Sequence, residues 1–197
     1  RDLRMSRGLG DVYKRQVVRC LEHEKNKGLS AARNTGISVS VGDYLYFLDS
    51  DDYIPANAIE LLAEAARQKQ TNFVIGNYEV TGARRWAPPL SLGTGLYEGN
   101  ALVLSNYVQE KWYVMAWNKL VSRPFVLQHQ LYFQEGIVHE DDLWSFKLAC
   151  MAQSMYVVDE TTYYYSMQPD SIMRAPSMRN LECRVPVSYT HLRAHET

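Results

Sequence analysis

The chain has 197 residues, a net charge of −1 and 46% hydrophobic residues, which is the composition of an ordinary globular domain long enough for a core. Positive and negative charges mix along its length, so there is no nucleic-acid face, and no apolar run approaches the roughly 20 residues that span a bilayer. Three scattered cysteines, Cys20, Cys150 and Cys183, make neither a disulfide framework nor a metal knuckle and point to a reducing, cytoplasmic compartment.

Residues 1–16 are basic and aperiodic, and residues 185–197 are patternless. Both tails resemble translated adaptor sequence, so the domain is taken as residues 17–184. Val17–Leu21 reads as a strand. After a polar loop, Ser30 is placed to cap a helix from Ala31 to about Ser40; Gly36 inside it costs about 1 kcal/mol unless close packing requires it. Tyr44–Leu48 has no polar alternation and reads as a strand buried on both faces, as in a mostly parallel sheet. A helix follows near Ala56–Gln68, with Ile59, Leu62, Ala63 and Ala66 on one face. Phe73–Ile75 is another short buried strand, and the β-α-β-α-β order predicts an α/β fold. A long loop over Gly82–Gly99 leads to helices at Asn100–Val108, Pro124–Gln128 and Asp142–Met151. Met155–Val158 and Thr162–Tyr165 read as strands.

Four polar clusters carry chemistry. The glycine loop Asn26-Lys27-Gly28 opens a helix holding Arg33 and Asn34, the arrangement of an anion site or of a plain helix start. Asp49, Asp51 and Asp52 lie where the Tyr44 strand ends; they suit a hard cation, or a helix cap. A calcium loop is excluded, because its turn glycine is replaced by Ile54 and a strand-like run precedes it. Trp117-Asn118-Lys119 could wall a sugar pocket or belong to the core. His139-Glu140-Asp141-Asp142 precedes an amphipathic helix, either as favourable dipole charge or as a general base.

The ordered set closely resembles the family 2 glycosyltransferases, enzymes of GT-A fold in bacterial polysaccharide synthesis. It runs from Asn26 to Gly36, then Tyr44 to Asp52, then Trp117 to Leu120, then His139 to Trp144, and ends at Tyr163-Tyr164 and Ser171-Ile172. The resemblance implies inverting transfer of a sugar from a nucleoside-diphosphate sugar to a hydroxyl of a sugar or lipid-linked acceptor. It implies that Asp49 contacts the nucleotide ribose, that Asp51, with Asp49, ligates Mg²⁺ or Mn²⁺, and that Asp52 caps a helix. It implies that Asn26, Gly28, Arg33 and Asn34 line the nucleotide pocket. Asp141 matches the catalytic base with Glu140 beside it, and Trp117, Asn118, Lys119 and His139 fall near the donor and acceptor sugars. Peripheral association with the inner face of the plasma membrane would follow from a lipid-linked acceptor.

Family members begin with a strand, a helix and a second strand ending in an Asp-Asp-Gly-Ser-like run, and nothing before Val17 resembles it. The expectation is therefore a GT-A-like domain lacking its first β-α-β unit, inactive as it stands although the intact gene product is a transferase. Two alternatives stay open at this level. One is a non-catalytic nucleotide- or sugar-binding remnant; the other is a nucleotidyltransferase, which would need a glycine-rich triphosphate loop.

Overall fold

The structure, a computed structural model, describes residues 19–82 and 90–167. Of the expected first strand, Val17 and Val18 lie outside these residues, and Arg19–Leu21 form no strand. Both tails and Ser171-Ile172 also lie outside them.

Helix α1 (Leu29–Val39) begins two residues earlier than expected. The Asn26 side-chain oxygen accepts the Gly28 N–H at 2.8 Å, and Gly28 turns the chain at φ 85°, a conformation that favours glycine. The chain therefore enters the helix at Gly28, and Ser30 is buried in the first turn instead of capping it. A Cβ at Gly36 would meet nothing within 4 Å, so close packing among the described residues does not require that glycine.

Strand β1 (Tyr44–Tyr46) has three residues, shorter than the expected five. The chain leaves the ladder at Phe47, whose ring packs edge-on against Phe133 and Trp144 at 5.3 and 5.7 Å, and Leu48 is 48% exposed. Helix α2 (Ala58–Lys69) buries Ala58, and packs Leu62 and Ala66 against Val74, Leu120 and Val158, while Ile59 points outward. Its N-cap position is Asn57.

The remaining elements are β2 (Phe73–Gly82), β3 (Gly95–Glu98), α3 (Asn100–Val108), β4 (Lys119–Ser122), α4 (Arg123–Gln128), α5 (Glu140–Met151) and β5 (Ser154–Met167). The five strands form one sheet in the order β1-β4-β2-β5-β3. The α/β class holds, but the sheet is mixed: β2 and β5 pair in parallel, while β1 with β4, β4 with β2, and β3 with β5 are antiparallel. The departure from a mostly parallel sheet comes from β4, which inserts between β1 and β2 and pairs with both through Leu120 and Val121.

The two strands expected after Met155 are one, β5, with its polar Asp159-Glu160 pair taken up by register shifts opposite Gly76 and Asn77. There the strands approach so closely that a Cβ on Gly76 would lie 1.8 Å from the Thr162 hydroxyl oxygen. Much of the aromatic surplus goes into the core, where Trp112, Tyr113, Trp117, Trp144 and Tyr163 are essentially inaccessible. Among the described residues no helix is long and apolar enough to cross a membrane.

Candidate functional site

Arg33 is the centre of the polar site. It lies one turn into α1 with its side chain 6% exposed. Its Nη2 donates to Asp49 Oδ1 at 3.0 Å, and its Nη1 donates to Glu140 Oε1 at 3.0 Å and to Asp141 Oδ1. Phe133 and Phe47 flank the guanidinium at 5.1 and 6.0 Å from their ring centroids. Asp49 comes from the segment where the chain peels off β1. Glu140 and Asp141 come from the first turn of α5, where carboxylates are favoured by the helix dipole. His139 directs the chain into that turn from a left-handed conformation, φ 62°.

One guanidinium facing three carboxylates leaves two negative charges when all are ionised. Burial, then the neighbouring Asp141, pushes Glu140 upward. Burial pushes Asp49 upward too, against the pull of Arg33 and with Asp141 and Asp51 adding. Burial opposes the Arg33 charge, but Asp141 and Asp49 outweigh it and hold the guanidinium above its usual value. Ion pairing would lower both carboxylates, so desolvation wins at Asp49 and Glu140. The side chains of Asp49 and Asp141 are 31% and 20% exposed, against 11% for Glu140, so the first two are the reachable acids. Asp141 is held twice, because its Oδ2 also accepts the Ala116 N–H at 3.2 Å.

The acidic loop is fastened to β5. The Tyr163 hydroxyl donates to Asp52 Oδ2 at 2.6 Å and accepts the Asp49 N–H at 3.3 Å, and the Ser166 N–H donates to Asp52 Oδ1 at 2.7 Å. Asp52 is thus a strap and not the cap of α2. Asp51 is exposed and makes no hydrogen bond to the described residues. Tyr53 continues the strap, bridging to Tyr164 through the backbone and stacking on its ring at 4.7 Å.

The other expected site residues lie apart from this cluster. Asn34 clamps Phe133 to α1, its amide donating to the Phe133 carbonyl at 2.9 Å and accepting the Phe133 N–H at 2.8 Å. Trp117 is buried and stacks on Tyr163 at 4.4 Å. Asn118 is buried at φ 57°; its amide donates to the Gly76 and Asn77 carbonyls and accepts from Tyr46 and Thr162, which ties β1, β2 and β5 together. Lys119 is buried, its ammonium bonded to the Met115 carbonyl and set over the Tyr113 ring at 4.5 Å. None of these three exposes a surface to solvent.

Sequence reasoning missed Tyr163 as the anchor of the acidic loop and the Ala116 N–H as a partner of Asp141. The first had a signal in strand alternation. Tyr163 and Tyr165 both face Trp117, while Tyr164 faces Tyr53. The second had none, because a backbone donor has no residue type.

Comparison with known proteins bears on the family and the fold. The family model for glycosyl transferase family 2 matches residues 7–123, more than half of the chain, starting inside the basic first stretch. An uncharacterized glycosyltransferase EpsJ of Bacillus subtilis (strain 168) is 32% identical over 84% of this chain and 50% of its own length. The poly(ribitol-phosphate) beta-N-acetylglucosaminyltransferase TarP of Staphylococcus aureus (strain N315) is 26% identical over 75% of this chain and 45% of its own. The chain thus spans about half the length of these curated relatives. The crystal structure of S. aureus TarS 1-349 in complex with UDP-GlcNAc superposes with a TM-score of 0.69 at 18% identity, over 85% of this chain and 48% of that one, a likeness of GT-A-like fold. With its ordered acidic motifs on that fold and a family match over most of its length, the chain belongs to glycosyl transferase family 2.

Proposed function

We propose that this chain forms the transfer site of an inverting glycosyltransferase that moves a sugar from a nucleoside-diphosphate donor to an acceptor hydroxyl. The observation that carries this reading is the convergence of Asp49, Glu140 and Asp141 on Arg33, with Asp51 exposed at the same loop. Asp141 is the general base. Arg33 and the Ala116 N–H each hold one of its oxygens, and its side chain still reaches solvent. As the acceptor oxygen bonds to the anomeric carbon, Asp141 takes its proton. The bond from that carbon to the diphosphate breaks on the opposite face, and the nucleoside diphosphate leaves with the electron pair. Glu140 is deeper and braces Arg33 at the same Nη1 that holds Asp141.

Asp51, with Asp49 beside it, would hold Mg²⁺ or Mn²⁺. Among the described residues no three His, Cys, Asp or Glu side chains group to hold a metal alone. One or two carboxylates plus donor phosphates suffice for such an ion, so the residues present fit it. Bound there, the ion would offset the growing charge of the leaving diphosphate. Asp49 faces the ribose, and the Asn26–Gly28 turn and α1 with Arg33 and Asn34 line the nucleotide side. Trp117, Asn118, Lys119 and His139 shape the sugar side from behind, through the loops they hold. The acceptor is a hydroxyl of a sugar or lipid-linked chain in cell-surface polysaccharide synthesis, met at the inner face of the plasma membrane; that TarP is a poly(ribitol-phosphate) beta-N-acetylglucosaminyltransferase supports a polymeric acceptor.

The test is binding and turnover with UDP and UDP-GlcNAc as probes. Mn²⁺-dependent stabilisation by UDP should disappear in Asp51→Ala and persist in Asp141→Asn. In any form of the protein that releases UDP from UDP-GlcNAc, Asp141→Asn should slow release by about 10²–10⁴-fold. Unchanged release in Asp141→Asn would remove the base assignment.

A further inference from the structure

Lys119 puts a cation inside the core, at no solvent exposure, which is costly unless the charge is put to use. Its ammonium donates to the Met115 carbonyl and lies over the rings of Tyr113 and Trp112, at 4.5 and 5.5 Å. The Ala116 N–H donates to Asp141 Oδ2 at 3.2 Å. The Met115 carbonyl and the Ala116 N–H belong to one peptide unit. A cation therefore grips the oxygen end of the same amide whose hydrogen end holds Asp141.

We propose that Lys119 is a positioning residue for Asp141, acting through the Met115–Ala116 peptide. The ammonium fixes the plane of that amide and draws electron density toward its oxygen. The N–H becomes a stronger donor, as in any chain of hydrogen bonds that polarise one another. Arg33 holds the other oxygen, so the carboxylate is set from two sides by two cations, one direct and one relayed. The inference rests on Asp141 being the base. It is tested without turnover, so Asp141→Asn kinetics judge that reading and the relay is judged separately.

The sequence contains two Met-Ala pairs, Met115-Ala116 and Met151-Ala152. Labelling methionine carbonyls with ¹³C and alanine amides with ¹⁵N in the 197-residue chain therefore isolates two amide signals. The Ala152 N–H, bonded to the Leu148 carbonyl, is the internal control. In Lys119→Met the Ala116 amide proton should move upfield and exchange about tenfold faster, with Ala152 unmoved. If the Met115 carbonyl shifts and Ala116 does not, the ammonium binds the carbonyl without reaching Asp141, and the proposal fails.

Should Lys119→Met not fold, the unaltered chain serves. Burial brings the Lys119 ammonium down to about 7, with Asp141 of α5 opposing that and Arg33 of α1 adding to it, and the Tyr113 hydroxyl, itself pushed up by burial, belongs to a ring facing it. Raising the pH through that value should move the Met115 carbonyl and the Ala116 amide together. Separate midpoints, or an Ala116 signal flat across that range, would overturn the relay.

Discussion

The Tyr163 hydroxyl and the Asp52 carboxylate meet at 2.6 Å across 111 residues of chain, and through this bond β5 holds the acidic loop in place. The same hydroxyl accepts the Asp49 N–H, so one phenol holds the backbone of Asp49 and the side chain of Asp52, the acids on either side of Asp51. Its ring is fixed in turn by stacking on Trp117. Tyr163→Phe keeps the ring and leaves a half-buried carboxylate oxygen and an amide short of a partner. It should cost about 1–3 kcal/mol in urea unfolding and weaken Mn²⁺-dependent UDP binding more than it lowers stability. Equal midpoints for the two proteins would show that the strap carries no load.

Arg33→Met leaves Asp49, Glu140 and Asp141 facing one another without their cation. Breaking buried ion pairs from one side costs about 3–5 kcal/mol. The loss should be largest near neutral pH and shrink on acidification, as the released carboxylates take up protons. Denaturant midpoints at several pH values check this; a pH-independent loss would mean that Arg33 matters only through packing.

Lys119 makes a second pH prediction, with the opposite sign from a surface lysine. Its folded value is about 7 against 10.5 for the free side chain, so between those values the unfolded chain binds more protons than the folded one. Folding is penalised below 7 and the penalty is relieved as pH rises to 10.5, contributing a slope of up to about 1.4 kcal/mol per pH unit. Lys119→Met should remove that slope from the unfolding free energy. A slope unchanged in the variant would place its origin elsewhere.

Gly76→Ala tests the tight seam between β2 and β5. The new methyl would collide with the Thr162 side chain, which already bonds Asn118 at 2.7 Å. Overpacking of this kind costs about 1–3 kcal/mol. Because Thr162 and Asn118 tie β5 to β1, the thermal shift given by UDP with Mn²⁺ should fall as well. An unaffected melting temperature would mean that the strands separate at no cost.

The parts of the molecule legible in the sequence were those with local causes. Apolar periodicity places α2 and α5 within about two residues, α3 falls on the expected 100–108, and Phe73–Ile75 is buried as its composition requires. The acids and Arg33 stood out because carboxylates beside a strand end and a helix start are chemically conspicuous. What the sequence did not reveal depends on long-range pairing. No local pattern says that β4 enters between β1 and β2, or that Phe47 leaves the ladder to pack on Phe133. Asp52 read as a cap because its partner lies on another strand. Trp117-Asn118-Lys119 fits a pocket wall or the core equally well as a sequence, because polar residues such as Asn118 and Lys119 are rarely buried; here both are satisfied inside.

Titration calorimetry of UDP with Mn²⁺ present and absent, on the unaltered chain, Asp51→Ala and Asp141→Asn, tests whether the acidic loop is a metal-diphosphate site. Binding should depend on the metal in the unaltered chain, be lost in Asp51→Ala and be kept in Asp141→Asn. Binding that is equal without metal, or unchanged by Asp51→Ala, would contradict it.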